Sequence, residues 1–257
     1  MKSWKKLLVF SLMAVFAVTV VACGSDNTSG DEEKEVFTFA MSGLYPPFNY
    51  SDNGELVGFD VEIGYALAER MGMEPNPVTN PWQTILAALQ SNRFDAIIGS
   101  MAITEERQKE VNFTIPYYES GAQVFISEEN EEIQSVADLN SKRIGVVIAS
   151  TFEDIAREYT DDVTTYDSDV TALQDLLVRG RLDAVITDQL VGLYAINQNN
   201  LAIKPVDVPI YLDQMGIPVK KENTELLERI NAALEEMKND GTYAEISEKY
   251  FGTDISD

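Results

Sequence analysis

The 257-residue sequence contains no histidine and a single cysteine, Cys23. Ser-His-Asp and Cys-His nucleophilic catalysis both need a histidine, so neither mechanism is open to this chain. Zinc sites built from histidine and cysteine are excluded for the same reason. The sequence also has no Asp-x-Asp-x-Asp-Gly loop of the kind that binds calcium. We therefore expect no metal and no other cofactor.

Basic residues are scarce as well. The chain has 19 lysines and arginines against 43 aspartates and glutamates, which gives a formal net charge of −24. A protein this acidic is repelled by the phosphates of nucleic acids, so nucleic-acid binding is excluded. Electrostatic adhesion to anionic lipid is excluded on the same grounds. Most of the carboxylates are expected on a solvated surface.

The N-terminal segment, residues 1–22, has the pattern of a secretory signal peptide. Three lysines precede an apolar run from Leu7 to Val21, which is short for a membrane span and is followed by small residues. Val20–Cys23 resembles a bacterial lipobox, which predicts cleavage before Cys23 and lipidation of this residue. An ordinary signal peptide with a chance cysteine is the alternative. The small, polar and charged residues 24–35 predict a flexible tether, so the protein should be lipid-anchored at the cell membrane and face the extracellular or periplasmic side.

Roughly 220 residues follow the tether, which is enough for two lobes of about 100 residues each. Strand-like and helix-like stretches alternate along them and predict α/β layers. Val36–Met41 and Phe94–Ile98 have the apolar, β-prone composition of strands. Asp60 is a plausible N-cap for a helix that runs through Met71 and ends at Gly72, and Thr104 opens another helix that carries Arg107.

The second half of the chain continues this alternation. Arg143–Ile148 predicts the first strand of the second lobe, and a helix should begin near Phe152. Two C-terminal helices are expected near Thr224–Asn239 and Thr242–Tyr250, each opened by a threonine cap. Gly241 is a natural end for the first of them.

A repeat within the chain is the most informative feature. Leu89–Ile98 reads LQSNRFDAII and Leu177–Ile186 reads LVRGRLDAVI, so five positions match between copies that start at 89 and 177, an offset of 88. Each copy predicts the end of a helix, a tight turn and a buried strand. The same offset relates Ser100 to Asp188, and both should lie just beyond the carboxyl ends of equivalent strands, where open α/β sheets bind ligands. Chance similarity of two such units is the alternative.

The sequence also contains residues suited to each group of a free amino acid. Arg107 can bind a carboxylate through two parallel hydrogen bonds, and main-chain N–H groups around Thr151, at a predicted helix start, can add to that contact. Asp188 suits the ammonium group. Aromatic walls are expected from Tyr45, Phe48 and Trp82. Taken singly, Arg107 more commonly marks a helix surface, Trp82 a core and Asp188 a loop cap.

Six short stretches form a specific pattern together with the lipobox. They are YPPF (Tyr45–Phe48), GFDVEI (Gly58–Ile63), RFDAIIGSMAITEER (Arg93–Arg107), FTIPYYESG (Phe113–Gly121), TYDSDVTALQDLLVRGRLDAVITD (Thr165–Asp188) and DGTYAEISEKYFG (Asp240–Gly252). In this order and spacing they resemble family 3, the amino-acid-binding family of bacterial ABC-transporter extracellular solute-binding proteins, over nearly all of residues 36–252. The resemblance implies a type II periplasmic-binding-protein-like α/β fold of two lobes joined by two crossing hinge segments. Its implied boundaries are lobe 1 at 36–118 plus 215–257, lobe 2 at 122–210, and hinges at 118–121 and 210–214.

The resemblance also implies a role for individual residues. It places the ligand carboxylate on Arg107 and Thr151, the ammonium group on Asp188 and the main chain near Ser100, and aromatic walls at Tyr45 and Trp82. The ligand-binding residues expected in total are Tyr45, Phe48, Trp82, Ser100, Met101, Ala102, Arg107, Ser150, Thr151 and Asp188.

The chain departs from the family pattern at two of its positions. Many members have threonine or serine where this chain has Ala102, and that hydroxyl contacts the ammonium group. Binders of basic amino acids carry an aspartate where this chain has Ser42. The second departure favours neutral or polar amino acids, cystine among them, over lysine and arginine. The first leaves room for a modified zwitterion such as an ectoine-like compatible solute.

The function implied is capture of a small amino acid-like ligand and its delivery to an ABC-transporter permease with a cytoplasmic ATPase, by a monomeric protein. Two other classes compete with it. A few relatives of this fold are cyclohexadienyl dehydratases, for which Asp188 would be the obvious acid or base, but its expected ammonium contact already accounts for it. Sensors of this fold are usually fused to a transmembrane signalling region, which we do not find in the sequence.

Overall fold

The computed structural model describes residues 34–256, so the signal peptide and the predicted lipidation site Cys23 lie outside the described residues. No helix within residues 34–256 is long and apolar enough to cross a bilayer. The strands are β1 Val36–Met41, β2 Leu44–Tyr45, β3 Asn49–Asp52, β4 Glu55–Val57, β5 Glu74–Thr79, β6 Ala96–Ile97, β7 Met101–Ala102, β8 Val111–Phe113, β9 Tyr118–Ser127, β10 Ile144–Val147, β11 Val163–Tyr166, β12 Ala184–Asp188, β13 Ile203–Gly216 and β14 Pro218–Lys220. The helices are α1 Phe59–Arg70, α2 Trp82–Gln90, α3 Glu105–Glu110, α4 Thr151–Tyr159, α5 Asp169–Leu176, α6 Gln189–Asn199, α7 Thr224–Asp240 and α8 Thr242–Phe251, with a 3₁₀ turn at Val136–Leu139.

Two mixed sheets organise these elements. The first has the strand order β5-β1-β6-β14-β8, with β1 parallel to β5 and β6, and β14 antiparallel to β6 and β8. The second has the order β11-β10-β12-β9-β13-β7, with β10 parallel to β11 and β12 and the remaining pairs antiparallel. A small antiparallel sheet, β2-β3-β4, follows β1 in the chain. Each large sheet has its own buried apolar clusters, as the α/β prediction requires.

The sequence repeat corresponds to two equivalent units of structure. In the first, Asp95 and Thr38 exchange two hydrogen bonds of 2.8 Å, one from the Thr38 N–H to the Asp95 carboxylate and one from the Asp95 N–H to the Thr38 carbonyl. In the second, Asp183 and Arg143 exchange the same pair at 2.9 and 2.8 Å. The two aspartates are 88 residues apart and are equivalent in the repeat. In each copy, this pair of hydrogen bonds joins the start of the buried strand to the first parallel strand of its sheet.

The start of α1 differs from the prediction, because Asp60 is not its N-cap. The N-cap is Gly58, and the Phe59 and Asp60 N–H groups donate to the Pro47 and Phe48 carbonyls. The backbone of the YPPF loop therefore satisfies the first helix donors. Gly58 has φ 125°, and a Cβ at this position would overlap the Phe48 carbonyl, so only glycine fits the junction. Asp60 is instead fully buried inside the protein.

Threonine caps were predicted correctly at one of three helices. The Thr104 hydroxyl caps α3 by accepting from the Arg107 N–H at 3.2 Å. Thr224 and Thr242 are the first residues inside α7 and α8, whose N-caps are the residues before them, and neither helix has a side-chain cap. Gly241, with φ 88°, ends α7 as predicted and also occupies the position before α8, so Thr242 is one residue too late to act as a cap.

The two longest described strands, β9 and β13, run side by side along the second sheet. Their pairing extends from Tyr118↔Met215 to Ser127↔Ile203, with a register shift between Val206 and Tyr211. The segments predicted as hinges lie within these strands, 118–121 in β9 and 210–214 in β13. The division into two lobes at these segments stays a prediction.

Candidate ligand-binding site

A pocket with about 560 Å³ of empty space, including open solvent at its mouth, is lined by residues of strands β2, β7, β10 and β13, of helices α2, α3, α4 and α5, and of the loops beside them. Seven of the ten predicted ligand-binding residues line it, namely Tyr45, Trp82, Ser100, Ala102, Arg107, Ser150 and Thr151. The structure therefore brings together residues that are up to 106 positions apart in the chain, from 45 to 151.

The three other predicted residues do not line the cavity. Phe48 is fully buried behind Tyr45, with its ring stacked between those of Tyr45 and Tyr118 at centroid distances of 5.2 Å. Met101 is buried in the apolar cluster beneath α2. Asp188 is completely buried as the N-cap of α6. Phe48 thus supports the Tyr45 wall rather than forming one.

Arg107 presents a cation without an ion-pair partner. It lies on α3, where its Nη1 donates to the Ala102 carbonyl at 2.9 Å and its guanidinium carbon lies 5.8 Å from the centre of the Trp82 ring. Among residues 34–256, no carboxylate forms a salt bridge with it. Burial lowers the pKa of Arg107, and the charge of Asp213 partly offsets this effect. A half-buried guanidinium in this situation is stabilised by an anion, and the cavity gives an anion access.

The start of α4 faces the same cavity. Ser150 is its N-cap, and the Ser150 hydroxyl accepts from the Glu153 N–H and donates to the Val147 carbonyl at 2.6 Å. The hydroxyl is therefore occupied in capping. Thr151 is the first helical residue, and the N–H groups at this position of a helix have no partner within the helix. They add a second source of positive potential beside Arg107.

Ser100 is fixed by a buried network centred on Asp60. The Asp60 carboxylate accepts hydrogen bonds from Asn49 Nδ2 at 2.7 Å, Tyr117 Oη at 2.8 Å and Ser100 Oγ at 3.0 Å. The Ser100 N–H donates in turn to Tyr117 Oη at 2.9 Å. Burial raises the pKa of Asp60 to about 6, although these hydrogen bonds act in the opposite direction. Ser100 has φ 56°, so the network holds it in a left-handed conformation at the cavity wall.

Only one of the two carboxylate oxygens of Asp188 has described hydrogen-bond partners. Its Oδ1 accepts from Ser120 Oγ at 2.9 Å and from the Leu190 N–H at 2.7 Å, whereas the buried Oδ2 has no hydrogen-bond partner. Burial raises the pKa of Asp188 to about 7. Its charge also acts on the buried hydroxyl of Tyr45, a residue that lines the cavity.

One face of the second sheet carries most of the unpartnered polar atoms. Directly paired residues on adjacent strands point to the same face, as do alternate residues along a strand. Asp188 pairs with Ala122, and Asp213 and Met215 pair with Ser120 and Tyr118. Within residues 34–256, four buried side-chain polar atoms lack a partner, and three of them lie on this face: Tyr118 Oη, Asp188 Oδ2 and Asp213 Oδ2. Met215 on the same face lines the cavity, so the unpartnered atoms cluster beside it.

Sequence reasoning missed two acidic residues of the cavity wall, Asp167 and Asp169. Asp169 is buried and accepts a short hydrogen bond from the Thr187 hydroxyl, and burial raises its pKa to about 6. Asp167 is exposed and also lines an adjoining open groove, together with Ser42, Leu44 and Trp82. Both lie in the stretch TYDSD, where acidic residues before a helix read as ordinary capping residues.

Comparison with known proteins places the chain in a family. Residues 37–253 match the bacterial extracellular solute-binding proteins, family 3. The chain belongs to this family. It is 36% identical to the L-cystine-binding protein TcyJ of Escherichia coli strain K12, with 96% of each chain covered. It is 35% identical to ABC transporter arginine-binding protein 1 of the same strain, with 96% of this chain and 99% of the relative covered.

A solved structure extends the comparison to three dimensions. An ancestral arginine-binding protein bound to glutamine superimposes with a TM-score of 0.80 at 40% identity, covering 85% of this chain and 99% of that one. The type II periplasmic-binding-protein-like fold predicted from the sequence is thereby confirmed. The prediction of an amino-acid-binding family 3 solute-binding protein is confirmed as well.

Proposed function

We propose that this protein captures an amino acid outside the cytoplasm and delivers it, chemically unchanged, to the permease of an ABC importer. One observation carries the proposal: beside a single cavity lie a half-buried guanidinium without a described salt bridge and a buried carboxylate oxygen without a donor. A zwitterion supplies both missing partners. Its carboxylate would bind Arg107 and the N-terminus of α4, and its ammonium group would bind Asp188.

The ligand that fits best is a polar amino acid with a long side chain, and we favour cystine. Support comes from the groove that adjoins the cavity beyond Trp82 and is lined by Asn80, Gln83 and the exposed Asp167. Cystine carries a second amino acid head, whose ammonium group would lie near Asp167. Ser42 at the cavity wall adds no negative charge for a basic side chain. The cystine-binding relative is consistent with this choice.

The delivery step would take place at a membrane. We infer that Cys23 is lipidated and tethers the binding domain through residues 24–35, beside a permease with a cytoplasmic ATPase. We expect the domain to act as a monomer.

A thermal-shift screen tests the proposal, since a ligand that binds only the native state raises the unfolding midpoint as its concentration rises. The screen would contain the standard L-amino acids, L-cystine and ectoine. We expect L-cystine to give the largest shift, and we expect Asp167→Asn to weaken binding of L-cystine but not of L-cysteine. A largest shift with ectoine would favour the modified-zwitterion alternative, and one with arginine would reject the ligand class. Recovery of a chemically altered ligand would indicate an enzyme.

A further inference from the structure

The hydroxyl of Tyr118 is buried in the interior and has no described hydrogen-bond partner. The residue begins β9 and is 1% exposed, and its Oη has no hydrogen-bond partner. Burying a hydroxyl without a partner costs stability, so such a group calls for an explanation. Of residues 34–256, one other tyrosine, Tyr243, shares this condition, also at 1% exposure.

The position of Tyr118 relates it to both Asp188 and the cavity. Tyr118 and Ser120 are alternate residues of β9 and point to the same face, and Ser120 Oγ holds Asp188 Oδ1 at 2.9 Å. Tyr118 pairs with Met215, which pairs with Ala102, so the three form one row across adjacent strands. Met215 and Ala102 line the cavity. The unpartnered atoms Tyr118 Oη and Asp188 Oδ2 therefore share the face that borders the ligand space.

Two hydroxyl positions beside the Asp188 face are missing or occupied. Position 102 is alanine, and Ser100 Oγ donates to Asp60. An ammonium group has three N–H donors, and a tyrosine hydroxyl has lone pairs that can accept one of them. Burial, Tyr117 and Asp188 together raise the pKa of the Tyr118 phenol well above its usual value, so the group remains a neutral hydroxyl.

We propose that the Tyr118 hydroxyl and Asp188 Oδ2 together bind the ammonium group of the ligand, in place of the hydroxyl that position 102 lacks. This inference rests on the proposed function, because it assumes an amino acid in the cavity. Tyr118 lies at the start of a predicted hinge segment. Its hydrogen bond would favour ligands that carry an amino group over ligands that lack one.

The test compares Tyr118→Phe with Tyr243→Phe by calorimetric titration, using L-cystine and the tightest-binding standard L-amino acid of the screen. Each variant removes one buried, unpartnered hydroxyl and keeps the ring. We expect Tyr118→Phe to weaken binding about 10- to 100-fold, as for loss of a hydrogen bond to a charged group. Tyr243→Phe should bind as tightly as the unmodified protein, because the hydroxyl of Tyr243 has Asp254 and Asp60 as its charged neighbours rather than Asp188.

Melting of the ligand-free variants separates a ligand contact from a structural role. Neither substitution should lower the midpoint, since removing an unsatisfied buried hydroxyl relieves a cost. Adding Ala102→Ser to Tyr118→Phe should restore part of the affinity. Binding by Tyr118→Phe within about twofold of the unmodified protein would overturn the inference. Failure of the unmodified protein to bind any L-amino acid would instead overturn the proposed function, and this inference with it.

Discussion

Arg107 is the residue whose loss should weaken ligand binding most. Replacing it with alanine leaves the ligand carboxylate without its cation, which typically costs about 2–5 kcal/mol in binding free energy. We expect the fold to survive, since Arg107 forms no salt bridge within residues 34–256 and its described side-chain hydrogen bond is to one carbonyl. Calorimetry measures the loss. Arg157→Ala, which removes an exposed ion pair with Glu153, is the matched control, and a loss of less than tenfold for Arg107→Ala would place that residue outside the site.

Asp188 predicts a pH dependence of binding. Its folded pKa of about 7 is raised from 3.8 by burial, so the ligand-free protein retains a proton there as the pH rises from about 4 to 7. Because the unfolded chain binds fewer protons in this window, the stability that this group contributes is full below pH 4 and is lost as the pH approaches 7. A ligand ammonium group needs the ionised form, so affinity should rise between pH 5.5 and 8.

The measurement for this prediction is proton release on binding. Calorimetry near pH 6.5, in buffers of different ionisation enthalpy, should show protons released as the ligand enters. Asp169 is also buried, with a pKa of about 6, and contributes at the lower end of the range. Asp188→Asn should remove the release above pH 6.5, whereas an unchanged release in this variant would show that another group titrates.

At this scale, the cavity lining was easier to predict than burial. Arg107 and Thr151 were chosen because a guanidinium and a helix start bind carboxylates, and both line the cavity, while their contact with a ligand stays a prediction. Asp60 was misread because an acidic residue near a helix start has the same appearance whether it caps the helix or lies inside the protein. Tyr118 was missed because the row Tyr118–Met215–Ala102 exists only through strand pairing across about 100 residues.

At the scale of elements, two helices approach their sheets through glycines. Gly64 of α1 lies against the Phe39 ring, and Gly192 of α6 lies against the Phe125 ring, so a Cβ at either position would overlap an aromatic side chain. We expect Gly64→Ala and Gly192→Ala each to destabilise by about 1–3 kcal/mol through overpacking. Chemical denaturation measures the change. At Gly99 an added Cβ would meet its nearest atom at 3.5 Å, so Gly99→Ala is the control that should unfold nearly as the unmodified protein does.

Element type was predictable and element boundaries were less so. The 88-residue repeat identified two βα units because its Asp residues recur where each strand is fastened to its neighbour. The start of α1 was misassigned because its first donors are satisfied by loop backbone, and the start of α8 because a left-handed glycine precedes it. At α7 the N-cap is Asn223, one residue before the threonine predicted to cap the helix. Sequence patterns detect side-chain caps and cannot detect backbone ones.

The whole molecule should be held at the membrane by its N-terminus. Cys23 lies outside the described residues, so the lipobox motif alone motivates this prediction. Replacing Cys23 with alanine should release the protein from membranes or leave the precursor uncleaved. Fractionation and mass analysis of the host membranes would show which occurs, and normal membrane retention of a processed Cys23→Ala protein would contradict lipid anchoring.

Closure around the ligand is the other property of the whole molecule. Contacts described at the cavity rim include a 3.4 Å hydrogen bond from Ser168 Oγ to the Leu44 carbonyl and a side-chain hydrogen bond between Tyr50 and Tyr194. The Ser168 hydrogen bond is exposed and stabilises little. If the predicted hinges at 118–121 and 210–214 bend, the ligand itself must provide most of the free energy that favours the closed state, through its higher affinity for that state.

The magnitudes allow this mechanism. Shifting an equilibrium from 1:99 to 99:1 needs about 5.5 kcal/mol of differential binding. One hydrogen bond to a charged group contributes roughly 1.5–3 kcal/mol, so two or three contacts from residues of the predicted second lobe, such as Thr151 and Asp188, suffice. Small-angle scattering should show a smaller radius of gyration on saturation with the tightest-binding amino acid. Asp188→Asn should reduce that compaction, while Ser168→Ala should preserve it, because Ser168 touches the rim and not the ligand. A radius unchanged on saturation, in a protein that is open when free, would rule out closure and assign the ligand to a preformed site.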